Sequence, residues 1–399
     1  MIRDVRVKTA FQEITLRAFD ELTLEEVLLA HRLPTNLFQG YLISFGKSLR
    51  PIPLNTTIKD INEDIEIILQ CIRDTDLRQI LPQQTFYRKS DNPVTILRGF
   101  NLSQEKCVET IYEISEEKAK NIIASKIEGF LKQYSLAKTV LVGISGGGDS
   151  NTLVRSLKAY AVKNEPDKRY LCFTLVFEPF WPQSGALRAS ELCRDSSIEH
   201  YIYSESEIEK LLSMKDKLRN FYSDFLAKFG ENTYDLFTTF VITLVARKLC
   251  KKNNTTEYCL GYNREDVLTE LLFQLINGRK PLQYPVREFG DIRFLMPLWD
   301  IPKKILDACY PKYSSVNYQE RQSTVPKPLY QRNLLFYLAH TLDDIYNNLG
   351  LSLMSGIKKL FDNDWTQVEK LEGKPDLYIS PYADKQQLEE VRNLLKEYF

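Results

Sequence analysis

Histidine is scarce in this chain of 399 residues: His31, His200 and His340 are the full set. A metal centre built on imidazoles is therefore not expected, and each lone histidine reads as structural or surface. The seven cysteines (Cys71, Cys107, Cys172, Cys193, Cys250, Cys259 and Cys309) are scattered, and no two form a C-x-x-C pair. An odd, dispersed set reads as free thiols and excludes both a disulfide framework and a zinc or iron–sulfur site held by paired cysteines. Net charge is also missing, because Lys+Arg and Asp+Glu both total 53. That balance speaks against an extended nucleic-acid surface. No apolar run is long enough to span a bilayer, and the first residues carry no signal-peptide pattern, so a cytoplasmic chain without membrane partners is expected. There is no internal repeat and no low-complexity segment.

What is present is a hydrophobic fraction of 43%, enough for large cores, in a chain long enough for two or three domains. Residues 1–81 read as one unit. Segments 5–8 and 13–19 alternate like strands. Thr23, followed three residues later by Glu26, opens a helix with a capping box. Segments 41–45, 48–53 and 65–72 follow as strands. This order resembles the ubiquitin-like β-grasp fold, and implies a docking or substrate-capture module or an appended stability domain. Residues 82–138 read as a connector, extended at 94–97, followed by a helix at 115–134. Residues 139–310 alternate strand and helix, with one continuous helical stretch over 207–229. The near-continuous apolar run at 170–177 suits a central parallel strand covered on both faces. The expectation is an α/β fold, a doubly wound and mostly parallel sheet, with its ligand at the carboxyl ends of the strands. Residues 311–399 read as a helical C-terminal region, with helices near 331–349 and 351–361.

The chemical signal lies at the first strand of that sheet. Residues 140–144 are apolar, Gly146, Gly147 and Gly148 make a turn, and Leu153, Leu157 and Tyr160 follow at helical spacing. Strand, glycine turn and helix form a phosphate cradle: glycines admit an anion to the backbone, and successive N–H groups at a helix start carry partial positive charge. Ser145 and Ser150 add hydroxyls. Asp149 would repel a bare phosphate, so its sensible task is to hold Mg²⁺ against phosphate oxygens. An empty glycine turn accounts for the glycines but not for the aspartate and two serines. The Gly-Lys-Ser/Thr ending of the Walker loop is absent, and the spacing is not that of the dinucleotide fingerprint.

Ser145-Gly-Gly-Gly-Asp-Ser150 resembles the Ser-Gly-Gly-x-Asp-Ser loop of the PP-loop ATP pyrophosphatases, which split ATP between its α- and β-phosphates. A second stretch, Gly261-Tyr-Asn-Arg-Glu-Asp266 with Glu270 four residues on, precedes Arg293-x-x-x-Pro297-Leu298. Together these resemble the N-type enzymes of that superfamily, closest to the two-thiocytidine tRNA thiolases and the tRNA-lysidine synthetases. Their Gly-His-His-x-Asp-Asp is altered here at Tyr262, Asn263 and Glu265. The resemblance covers about 139–310. The cluster-binding cysteines of the first group are missing, and the paired-cysteine zinc ribbon of other relatives is replaced by the β-grasp-like unit.

The resemblance implies ATP and Mg²⁺ as cofactors and transfer of AMP to a carbonyl or amide oxygen. A sulfur nucleophile then displaces AMP, on a small heterocycle or amide. An amine-using ligase, a tRNA-modifying enzyme and a non-catalytic nucleotide sensor remain as alternatives, with tRNA not favoured. Ser145, Gly146, Gly147, Gly148 and Ser150 would hold pyrophosphate, Asp149 the metal, and Asp266 would assist. Backbone groups from Thr174 to Phe177 would flank adenine, and Arg188, Arg247 and Arg264 are the cationic candidates. Sulfur carriage on the chain would need an accessible thiol of low pKa. Cys107, in a polar stretch, and Cys193, on the helix after the second strand, are the candidates. A donor of sulfur or amine, such as a cysteine desulfurase-type protein, would complete the reaction.

Overall fold

A computed structural model describes residues 1–8, 13–31, 35, 38–44, 50–61, 65–71, 82–102, 107–178, 180–230, 233–316, 330–345, 348–362, 364–366, 369–370, 378–379 and 385–399. Among these, β1 (Ile2–Lys8) runs antiparallel to β2 (Glu13–Phe19), with Val5 opposite Leu16. Helix α1 (Leu24–Ala30), β3 (Phe38–Ser44), β4 (Arg50–Ile52), a 3₁₀ turn (Ile58–Asp60) and β5 (Ile65–Cys71) follow. Strand β5 lies parallel to β1, giving the order β2-β1-β5-β3-β4. Alternation along β1 turns Val5 and Val7 inward, where they meet Leu16, Leu24, Val27, Leu28 and Ile67. This is the β-grasp arrangement. The α1 cap is the one the sequence announced: Thr23 Oγ1 accepts from Glu26 N at 3.2 Å, and Thr23 N donates to Glu26 Oε2 at 2.8 Å. Thr23→Ala is expected to weaken this helix by about 1 kcal/mol, read as faster amide exchange confined to α1 in the full chain.

Beyond the β-grasp strands, the sequence suggested only a connector with a short extended piece. The chain instead forms a three-stranded sheet of β6 (Gln84–Arg88), β7 (Pro93–Leu102) and β8 (Cys107–Ser115), ordered β6-β8-β7. Every residue of β6 is exposed, so no hydrophobic alternation marks it in the sequence. The chain divides within this sheet into two compact units, residues 1–87 with 99–111, and residues 88–98 with 112–399.

In the larger unit, α2 (Glu116–Gln133) leads into β9 (Thr139–Gly143), α3 (Gly148–Asn164), β10 (Arg169–Leu175), α4 (Gln183–Asp195) and β11 (Glu199–Tyr203). The helical run expected over 207–229 is broken into α5 (Glu205–Leu212) and α6 (Leu218–Phe229) by Ser213 in the left-handed region at φ 54°. Helix α7 (Thr233–Lys252), β12 (Glu257–Cys259), α8 (Arg264–Ile276), β13 (Val286–Phe289), β14 (Ile292–Leu295) and α9 (Lys303–Cys309) complete the alternation. The sheet order is β11-β10-β9-β12-β14-β13, parallel except for β13. Successive side chains serve opposite faces: Leu141, Leu171 and Phe173 join one core layer, while Val140, Val142 and Cys172 join the other.

Among the described residues, helices α10 (Tyr330–Ile345), α11 (Leu349–Leu360) and α12 (Lys385–Tyr398) follow. Helix α12 was not anticipated, yet Val391, Leu394, Leu395 and Tyr398 enter the first core layer, and Tyr398 Oη donates to Asp224 at 2.5 Å. No helix among the described residues is long and apolar enough to cross a membrane.

Candidate functional site

The chain leaves β9 toward β10 and β11 on one side, then returns to place β12 on the other. The carboxyl ends of β9 and β12 therefore flank the switch point where an open parallel sheet leaves a crevice. Two loops meet there, 145–150 and 260–266.

The first loop is shaped by close backbone packing. Gly146 has φ 75°, and a Cβ on it would stand 2.2 Å from the Gly185 carbonyl oxygen at the start of α4. The Arg188 Nε donates to the Gly146 carbonyl at 3.2 Å. Ser145 N donates to Ser150 Oγ at 2.9 Å, and the two hydroxyls lie 3.2 Å apart, closing the turn on itself. Gly147 caps α3, so the first N–H groups of that helix lack intrahelical acceptors.

Thr174 supports this loop from below: its hydroxyl donates to the Ile144 carbonyl at 2.9 Å. With that proton committed, His200 Nε2–H donates to Thr174 Oγ1, also at 2.9 Å. Burial pushes the His200 imidazole down to about 4, so it is neutral in the fold. An unfolded histidine titrates near 6.5, so between that value and about 4 the unfolded chain binds a proton the folded chain refuses. Stability should fall as pH drops through this window, by at most about 3 kcal/mol for this group. Urea midpoints of the native chain and of His200→Gln should diverge at pH 7 and converge toward pH 4.5.

Asp149 is held from two directions. Lys303 Nζ, at the start of α9, lies 2.6 Å from Oδ1 and 2.7 Å from Asp307 Oδ1. Asn263 Nδ2 donates to Asp149 Oδ2 at 3.3 Å. Burial alone would lower the Lys303 ammonium, but Asp149 and Asp307 hold it above the ordinary lysine value. Asn263 also caps α8: its Oδ1 accepts from Asp266 N at 3.0 Å, while its own N donates to Asp266 Oδ2 at 3.1 Å. Burial, and then the charge of Asp149, push Asp266 up to about 6. A Cβ on Gly261 would stand 3.4 Å from Asp149 Cβ, so the two loops lie in contact there.

The fold thus gathers Ser145, Gly146, Gly147, Gly148, Asp149 and Ser150 with Asp266 at one crevice. Arg188 stands beside them. Arg264 is occupied elsewhere, by the Asp300 carbonyl at 2.7 Å and Asp343 at 2.5 Å, and Arg247 pairs with Asp291. Phe177 is fully buried among Phe180, Trp181, Tyr222 and Phe237. The N–H groups of Val176 and Phe177 are taken by the carbonyls of Tyr203 and Trp181 at 2.8 and 3.0 Å. The Phe177 carbonyl is taken as well, by Phe180 N and Trp181 N at 3.0 and 2.8 Å.

The exposure expected of Cys107 and Cys193 is not found, since each is 1% exposed. Cys107 has polar neighbours in sequence, but strand alternation turns it inward, and burial with Glu109 raises its thiol. Cys193 lies against Cys172, and the hydrogen bond between them lowers the Cys193 thiol and raises that of Cys172, but burial leaves Cys193 out of reach. Lys303 was missed. Its only signal is Pro302 opening a helix shortly after Pro297 and Leu298, which follow β14.

No family model and no curated protein matches the chain. Among solved structures, the α/β unit is similar to a U34-tRNA thiolase, NcsA from Methanococcus maripaludis, described with its [4Fe-4S] cluster. The match has a TM-score of 0.50 at 17% identity and covers 63% of this chain and 82% of that one. Two NAD synthetases also align, at TM-scores of 0.34 and 0.33: the NH₃-dependent enzyme of Campylobacter jejuni, with 15% identity over 64% of this chain and 100% of that one, and the Burkholderia pseudomallei enzyme, with 12% identity over 63% and 90%. At these identities the likeness to the thiolase is one of fold, and that fold is the one the 145–150 loop led to.

Proposed function

We propose that this crevice binds ATP with Mg²⁺ and transfers AMP to a carbonyl or amide oxygen. A sulfur nucleophile then completes the reaction on a small heterocycle or amide. The observation that carries the reading is the glycine turn that opens α3, set beside Asp149 at the switch point. The substrate oxygen attacks the α-phosphorus in line, and the bond to the β-phosphate oxygen breaks, releasing pyrophosphate. The nucleophile next attacks the activated carbon, and AMP leaves with the former carbonyl oxygen. Loop N–H groups, Ser145, Ser150 and Arg188 would carry the charge of the outer phosphates.

Mg²⁺ fits the donor set. Among the described residues no group of three or more His, Cys, Asp or Glu gathers to make an all-protein cage. One carboxylate, Asp149, with phosphate oxygens and water is the environment Mg²⁺ takes. Bound there, the ion would neutralise phosphate charge, and Lys303, now on Asp149, stands ready to turn to a phosphate oxygen.

The six cysteines with described side chains are all buried. The nucleophile on this reading is brought by a separate donor, which equally favours a second reading, an amide- or amidine-forming ligase supplied with ammonia or an amine. Incubation with ATP, a metabolite extract and either sulfide or ammonia, followed by mass spectrometry, separates the two by the atom gained. Equal amounts of AMP and pyrophosphate are expected; ADP with orthophosphate would sink both readings.

A further inference from the structure

Position 148 is the variable place in the Ser-Gly-Gly-x-Asp-Ser pattern, and here it is a third glycine. The reason lies far along the chain. A Cβ on Gly148 would stand 2.1 Å from Ser314 Oγ and 3.3 Å from Ser314 Cβ, so a side chain from beyond α9 fills the space that residue 148 leaves open. The Ser314 Oγ is buried and has no hydrogen-bond partner among the described residues. Its own N–H donates to the Tyr310 carbonyl at 3.3 Å. Tyr310 is in turn fixed beneath Lys120 Nζ at 4.7 Å and the Arg155 guanidinium at 5.4 Å from its ring. The hydroxyl is therefore held in place, at the first residue of α3, without an acceptor or donor to satisfy it. A buried hydroxyl in that condition destabilises the protein that carries it, unless a ligand supplies the missing partner.

We infer that Ser314 is a phosphate-positioning residue of the crevice, its hydroxyl donating to an outer phosphate oxygen of the bound nucleotide and to the pyrophosphate that leaves. This rests on the proposed nucleotide site and adds to it a ligand from a separate element. Lys303 and Ser314, both on the chain following β14, lie against Asp149 and Gly148 respectively, and Asp307 pairs with Lys303. Gly148 is explained at the same time, since a Cβ there would force the Ser314 hydroxyl from its place.

The test is Ser314→Ala, titrated by calorimetry with magnesium pyrophosphate, Mg·ATP and AMP, alongside thermal unfolding of the ligand-free protein. Loss of one hydrogen bond to a charged group predicts binding of pyrophosphate and ATP about tenfold weaker. AMP, which lacks the outer phosphates, should bind as before, and the ligand-free Tm should hold or rise because an unsatisfied hydroxyl has gone. Unchanged pyrophosphate affinity would overturn the inference. So would a lower Tm with all three ligands weakened alike, since that marks a structural role. If the native chain bound none of the three, the nucleotide site itself would be refuted, and Ser314 with it.

Discussion

Asp149→Asn should reduce pyrophosphate release by at least about a thousandfold while leaving the fold intact. The amide keeps the size of the carboxylate, and its oxygen can still accept from Asn263. What it loses is the negative charge, and with it the ligand that would hold Mg²⁺ against the phosphates and the anchor that aims Lys303. Lys303 is 30% exposed and retains Asp307, so the stability cost should stay within about 1 kcal/mol. A quench assay counting AMP and pyrophosphate, with circular dichroism as the folding control, decides the matter. Activity within tenfold of the native chain would remove Asp149 from the chemistry.

The second large effect concerns stability. Arg287 on β13 and Glu270 on α8 form an ion pair with side chains only 5% and 3% exposed. Arg287 Nε also donates to the Gln283 carbonyl at 3.1 Å. Removing one partner leaves a charge in a region that solvates it poorly, so Arg287→Ala should cost about 3–5 kcal/mol. Replacing both with apolar or neutral groups of similar volume, as in Glu270→Gln with Arg287→Met, should cost much less, because no isolated charge is left behind. The comparison is a double-mutant cycle in urea. A single substitution within 1 kcal/mol of the native chain would show that water reaches the pair. Glu270 shares a helix face with Asp266 in the sequence, yet its charge is spent on Arg287 and the fold.

Several features were legible because they depend on local chemistry. The Thr23 and Glu26 cap, the glycine turn with Asp149 and the parallel strands with apolar runs all follow from residue type and spacing. Features set by what a segment packs against were not legible. Strand β6 is exposed on every residue, and Cys107 sits among polar neighbours but faces inward. Nothing near Lys303 or Ser314 in the sequence points to the 145–150 loop.

The sequence alone determined the loop: three glycines between a strand and a helix, hydroxyls on either side, and the carboxylate of Asp149. Tertiary structure decided what stands against it. Asp149 meets Lys303 across 154 positions, and position 148 is open because Ser314 fills it. Burial likewise takes Cys107 and Cys193 out of reach and leaves Arg188, of three arginines, beside the loop. Spacing along a chain fixes which groups are near only within a turn or a strand; beyond that, proximity is set by how apolar faces close on one another.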